Sequence, residues 1–132
     1  MNAQAEVFTA NLPADPALLR HFRQQLAAWL DAASVAERAR NAILLAAHEA
    51  AANAIEHAAA PVTVVGRVEP EAVLIEVTSA GRWAAHPRAI SDERGRGIAL
   101  MKGLLSDLEI LAEKERTIVR LRMIRSHTDS SS

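Results

Sequence analysis

Apolar positions along this chain recur first at helical spacing and later in alternation. Glu6 to Leu12 is a short apolar run that reads as an edge strand. Asp15-Pro16 follows, a helix start with aspartate as N-cap and proline at the first helical position. Leu18, Leu19, Phe22, Leu26, Trp29 and Leu30 then fall on one helical face, which predicts an amphipathic helix over 16–31. Ser34 and Glu37 have the spacing of a capping box, so a second helix is expected to open there and run to about His57. Pro61 enforces a break.

Beyond Pro61 the period changes. Val62 to Val68 and Ala72 to Thr78 are rich in β-branched residues and flank Glu69-Pro70-Glu71, the pattern of a hairpin. Gly81 to Gly97 reads as a long loop, and loops of that length in small domains are usually functional or mobile. Ile98, Met101, Leu104 and Leu105 predict a short helix after it. Leu108 to Ala112 and Thr117 to Ile124 form a second hairpin pattern around Glu113-Lys114-Glu115. In the last strand Val119, Leu121 and Met123 alternate with Arg120 and Arg122, giving one buried and one wet sheet face. Grouped helices and antiparallel strands, without strict alternation, predict an α+β two-layer sandwich.

Composition narrows the class. A chain of 132 residues suits one domain, expected over 1–125, with 126–132 a polar, disordered tail. Half the residues are hydrophobic, 23% are charged and the net charge is -1, which fits a soluble globular protein. That balance argues against direct nucleic-acid binding and against a membrane surface, and no apolar run approaches a span. The N-terminus lacks the pattern of a secretory signal, so a cytoplasmic location is the default expectation. With no cysteine there is no disulfide, thiolate metal site or cysteine nucleophile.

Candidate chemistry concentrates in Ala46 to Ala59. There Glu49, Asn53, Glu56 and His57 share one polar sector of the helix, with no lysine or arginine beside them. Ile43, Leu44, Ala47, Ala51, Ala54, Ile55 and Ala58 fill the opposite sector. A carboxylate and an amide four residues apart stack on one face. Glu49 can orient a hydroxyl as general base, and the Asn53 oxygen can ligate a hard cation such as Mg²⁺. E-x-x-x-N is short and common, however, and a plain polar face is the commoner explanation of the spacing alone. The second candidate is Arg94-Gly95-Arg96-Gly97, which leads into the helix expected from Ile98. Glycines allow close backbone approach to a phosphate, and a helix N-terminus adds free N–H groups. Together with Arg82 and Arg88 this loop is basic, which fits phosphates and equally an acidic protein partner. Trp83 fits a stacking role less well than that of an apolar plug. His48 and His57 lie on different helix faces, which argues against a shared metal site.

These segments together resemble a known family. His48-Glu49-Ala50-Ala51-Ala52-Asn53-Ala54-Ile55-Glu56-His57-Ala58 resembles the N box of the GHKL (histidine kinase-like) ATPase superfamily. Glu93-Arg94-Gly95-Arg96-Gly97-Ile98-Ala99-Leu100-Met101-Lys102-Gly103-Leu104 resembles its second glycine box. The E-x-x-x-N-A-x-x-H-A and G-R-G-x-x-L-M forms are most similar to bacterial anti-sigma-factor serine kinases of the RsbW type. The resemblance spans about residues 6–124 and implies the Bergerat fold, in agreement with the element order above.

The resemblance implies roles for matching positions. Glu49 corresponds to the catalytic base, Asn53 to the Mg²⁺ ligand and Gly81 to the glycine of the first glycine box. Residues 82–94 correspond to a lid over ATP, and Arg94, Gly95, Arg96 and Gly97 to the segment closing around the phosphates. Kinases of this type are homodimers. They sequester a sigma factor and phosphorylate a STAS-type anti-anti-sigma antagonist on serine. One position departs from the family: the aspartate that bonds the adenine amino group is here Ser79, in Val77-Thr78-Ser79-Ala80-Gly81. A hydroxyl accepts without charge assistance, so its bond is about half as strong, a loss on the order of 1–3 kcal/mol. That departure keeps a rival in view, a binding module of the same fold that does not use nucleotide. An accessory ATPase domain of a larger machine fits less well.

Overall fold

The computed structural model describes residues 7–13, 15–57, 62–80, 105–112 and 116–125. Strand β1 (Val7–Leu12) is followed by a 3-10 turn (Pro16–Leu18) and helices α1 (Leu19–Ala32) and α2 (Glu37–His57). Strands β2 (Val62–Val68), β3 (Ala72–Ala80), β4 (Asp107–Ala112) and β5 (Arg116–Ile124) complete the described elements. The sheet has the order β1-β2-β3-β5-β4, and every neighbouring pair is antiparallel. Two helices on such a sheet are the α+β sandwich the patterning predicts, with β1 at an edge as expected. The expected loop over Gly81 to Gly97, the helix after it, the turn at 113–115 and the tail at 126–132 lie outside the described residues. Among the described residues no helix is long and apolar enough to cross a membrane.

Strand register arranges the inner sheet face in rows, of which Val68, Val73 and Met123 form the one nearest the β2–β3 turn. The next row is Phe8, Gly66, Ile75 and Leu121; then come Ala10, Val64, Val77 and Val119; the last is Leu12, Val62, Ser79 and Thr117. The two helices cover these rows differently. α1 contributes large side chains, Phe22, Leu26, Trp29 and Leu30, all buried. α2 contributes mainly alanine: Ala39, Ala46, Ala47, Ala50, Ala51 and Ala54 are each at most 2% exposed. On the outer face Arg120 bonds Glu76 at 2.7 Å and lies 3.7 Å from Glu109. These groups are about half exposed, so solvent and salt screen both pairs and they contribute little to stability. Apolar burial, not surface charge, holds the layers together.

Bulk on α1 is matched by its absence on β2. Phe8 stacks obliquely on Phe22 and Trp29, with ring centroids 6.2 Å and 5.5 Å away. Gly66 lies beneath the indole. A Cβ there would come within 2.9 Å of Ile75 Cδ1 and 3.0 Å of two Trp29 ring carbons. Among the described residues the buried indole N–H finds no acceptor, so there the ring is held by packing and not by a hydrogen bond.

The entries of the two helices depart in detail from expectation. Asp15 Oδ1 accepts from the Ala17 N–H at 3.0 Å, as an N-cap should, but the first turn is 3-10 and α1 proper begins at Leu19. The capping box expected from Ser34 and Glu37 does not form. Ser34 has φ 60 and terminates α1: its N–H reaches the Asp31 carbonyl at 3.0 Å, and the Val35 N–H reaches the Leu30 carbonyl at 3.1 Å. That bond pair is a Schellman motif with Ser34 at the left-handed C′ position, so α2 starts only at Glu37. Arg125, following β5, donates to the Ala33 carbonyl at 3.1 Å and the Glu69 carbonyl at 3.2 Å. It thereby ties the end of α1 to the β2–β3 turn.

Two substitutions test these junctions by urea denaturation. Ser34→Gly relieves the left-handed cost at the helix end and is expected to stabilise the chain by about 1 kcal/mol. Gly66→Ala crowds the Trp29 ring and is expected to destabilise it by about 1–3 kcal/mol. An unchanged midpoint for Gly66→Ala would mean the indole moves aside without cost.

Candidate functional site

Among the described residues three polar side chains are buried in the otherwise apolar interior: Asn53, Ser79 and Thr117, at 2%, 2% and 0% exposure. Ser79 and Thr117 are direct cross-strand partners in the last row of the inner face, on β3 and β5. Asn53 comes from α2, which packs on both of those strands. Its short neighbours Ala50 and Ala54 are fully buried around it, so the alanine face of α2 carries the amide into the buried layer. Among the described residues the Asn53 amide nitrogen has no hydrogen-bond partner. Leaving such a group unpaired costs about 1–3 kcal/mol. A half-turn about the last side-chain torsion exchanges the nitrogen with the oxygen, so this one group can present either a donor or a hard oxygen ligand. Asn53 is thus a buried polar group on the helix that packs over the strands carrying Ser79 and Thr117.

Glu49 lies one turn before Asn53 and is half-buried, where a carboxylate remains reachable from solvent. The structure therefore places Glu49, Asn53 and Ser79 on the helix and strand expected to carry them. Gly81, Arg94, Gly95, Arg96, Gly97 and Trp83 lie outside the described residues, as does the side chain of His57. Thr117 was not among the residues expected at the site. Its signal is present in the sequence: carried two residues back, the alternation of Val119, Leu121 and Met123 points Thr117 inward, the one polar residue in that phase.

The family described as the histidine kinase-like ATPase domain matches residues 12–123 of the chain. Among solved structures, the RsbU and RsbW domains of Rv1364c from Mycobacterium tuberculosis superpose with a TM-score of 0.74 at 23% identity. That match covers 89% of this chain and 32% of the other, so the chain spans about a third of the length of that relative. The SiaB–SiaC complex from Pseudomonas aeruginosa superposes with a TM-score of 0.63 at 15% identity, covering 92% of each chain. At these identities the likeness is one of fold. Among curated protein sequences none matches the chain significantly.

His48 stands beside Glu49 but points elsewhere, toward α1. Its Nδ1 is buried without a hydrogen-bond partner. Burial, and then the nearby Arg23 guanidinium, hold its pKa below the ordinary value, with Glu49 opposing them. The unfolded chain therefore takes up a proton near pH 6.5 that the folded chain declines, and folding is disfavoured as pH falls through that value. Stability measured by urea titration is expected to fall as pH is lowered through about 6.5, and His48→Gln to flatten that fall. An identical pH profile in the variant would show that the imidazole is freely solvated.

Proposed function

The chain belongs to the histidine kinase-like ATPase domain family, and on that premise we propose that it is an anti-sigma factor with ATP-dependent serine/threonine kinase activity. Its substrate in this reading is a STAS-type anti-anti-sigma antagonist, and partner switching between that antagonist and a sigma factor regulates transcription. The observation that carries the reading is the buried, unpartnered Asn53 amide, on a helix that packs over the Ser79–Thr117 pair. A scaffold alone has no physical reason to bury such an amide. Among the described residues no cluster of three or more histidines and carboxylates could hold a metal by itself. Mg²⁺ usually takes one or two protein oxygens and fills its remaining positions with phosphates and water, and the Asn53 amide offers one such oxygen.

Each residue then has a task. Asn53 would hold Mg²⁺ through its amide oxygen. Bound Mg·ATP supplies the transferable phosphoryl group and a cation that neutralises charge as it leaves. Glu49, half-buried and one turn away, orients the attacking seryl hydroxyl and receives its proton. Ser79 accepts from the adenine amino group, with Thr117 beside it. Gly81, Arg94, Gly95, Arg96 and Gly97 would close around the phosphates. The likeness to RsbW domains and to a protein from the SiaB–SiaC complex supports a role in which this chain, too, engages a protein partner. In this reading it acts as a homodimer in the cytoplasm.

A second reading rests on one residue. With serine in place of the adenine-binding aspartate, the fold can persist as a nucleotide-independent module that sequesters its partner. Calorimetric titration with Mg·ATP separates the two. Micromolar binding that collapses in Asn53→Ala is expected. The variant should keep its stability, because it removes a group that was buried unsatisfied. Heat indistinguishable from buffer dilution in the parent protein would rule out the kinase and leave the module.

A further inference from the structure

Along the inner face of the sheet, the rows led by Val68, Phe8 and Ala10 carry no hydroxyl, amide or charge. The row of Leu12 and Val62 is different. It places two hydroxyls side by side, Ser79 on β3 and Thr117 on β5, at 2% and 0% exposure. On their far sides these two face Val62 and Ala112, which have no polar side-chain atom, so each is the other's polar neighbour within the row. Among the described residues the buried polar side chains are this pair and Asn53, and none of the three carries a charge.

A hydroxyl and a carboxylate differ in what they refuse. An ionised carboxylate only accepts hydrogen bonds, whereas a hydroxyl both donates and accepts, its proton rotating to suit the neighbour. Side chains directly opposed on antiparallel strands have Cβ atoms about 4.5–5.5 Å apart, within reach of a serine–threonine hydrogen bond. Such a bond can run in either direction. With Ser79 donating to Thr117, the Ser79 oxygen offers a lone pair to a ligand. With Thr117 donating to Ser79, the Ser79 proton is offered instead. Neither arrangement requires a buried charge. Purine bases differ in the same respect: adenine presents an exocyclic amino group, a donor, where guanine presents a carbonyl oxygen, an acceptor.

We propose that this chain accepts amino-purine and oxo-purine nucleotides alike, with the Ser79–Thr117 pair accepting from the adenine amino group or donating to the carbonyl of guanine or hypoxanthine. This rests on the nucleotide site of the proposed function, where Ser79 faces the base, and it names the class of nucleotide that the site takes. A carboxylate in place of Ser79 would refuse the oxo bases, because two acceptors would meet in a buried place with no proton between them. Serine gives up strength toward adenine and gives up that refusal with it. Ser79 is thereby a specificity-determining residue that reads the base edge and takes no part in phosphoryl transfer.

The test is calorimetric titration of the full chain with Mg·ATP and with Mg·ITP, the inosine nucleotide, whose base has the carbonyl of guanine but lacks its amino group. The parent chain is expected to bind the two within about tenfold of each other. Ser79→Asp should tighten ATP about tenfold and weaken ITP at least about 100-fold. Ser79→Ala should weaken both together, several-fold, leaving their ratio near that of the parent. Melting curves are recorded for each variant. If the aspartate, placed where the serine is 2% exposed, prevents folding, the parent ratio and the alanine variant still decide the matter. ATP binding with ITP at least about 100-fold weaker in the parent chain would overturn this inference alone and leave the kinase. Affinities unmoved by Ser79→Ala would overturn it too, since the hydroxyl would then not touch the base. Binding of neither nucleotide would overturn the kinase reading and this inference together.

Discussion

The structure depends on how near α2 can lie to the sheet. Its buried face is mostly alanine with almost no exposure, joined by Ile43 and Ile55, and the sheet beneath presents valines and Ile75. A methyl group is the smallest side chain that still excludes water, so a helix faced with it can approach more closely than one faced with leucine. Only at such an approach does a short amide such as Asn53 become buried against strands that carry Ser79 and Thr117. A larger residue at Ala50 or Ala54 would lift the helix and dissolve the buried polar cluster before it disturbed the fold as a whole.

α1 solves the opposite problem. It carries Phe22, Leu26 and Trp29, and space for them is made on the sheet by Gly66 and by the aromatic floor of Phe8. The helical layer therefore meets the sheet with bulky side chains at one helix and methyl groups at the other. The two helices are kept in place at their shared junction, where Ser34 closes α1 in a left-handed turn and Arg125 reaches from the last strand to the Ala33 carbonyl. A cation on the final carbonyls of a helix is also favoured by the helix dipole.

α2 consequently has three faces with three tasks. The alanine face builds the core. The edge bearing Glu49 and Asn53 forms the candidate nucleotide site. The outer side, with Leu45 and His48, completes a groove with α1. His48 precedes Glu49 in the segment that resembles the N box, and in the fold it belongs to the helix–helix groove and not to the site beside Glu49.

The periodicity of apolar residues by itself determined the described strands, β1 at an edge among them, and the positions of α1 and α2 to within a few residues, because burial on one face imposes a period of 3.6 or 2 on any chain. It also placed Glu49 and Asn53 on one helix face, and the alternation in β5 already pointed Thr117 inward. Local pattern failed at Ser34, where a serine three residues before a glutamate suits a helix start and a helix end alike. The preceding helix and the reach of Arg125 decided it. Tertiary structure alone could decide that Asn53 is buried and left unpartnered, that Ser79 faces Thr117, and that Arg20 and Arg23 stand across from His48. Each of these is a contact between segments distant in the chain, and such contacts are set by strand register and by how closely helices can pack, neither of which a local pattern encodes.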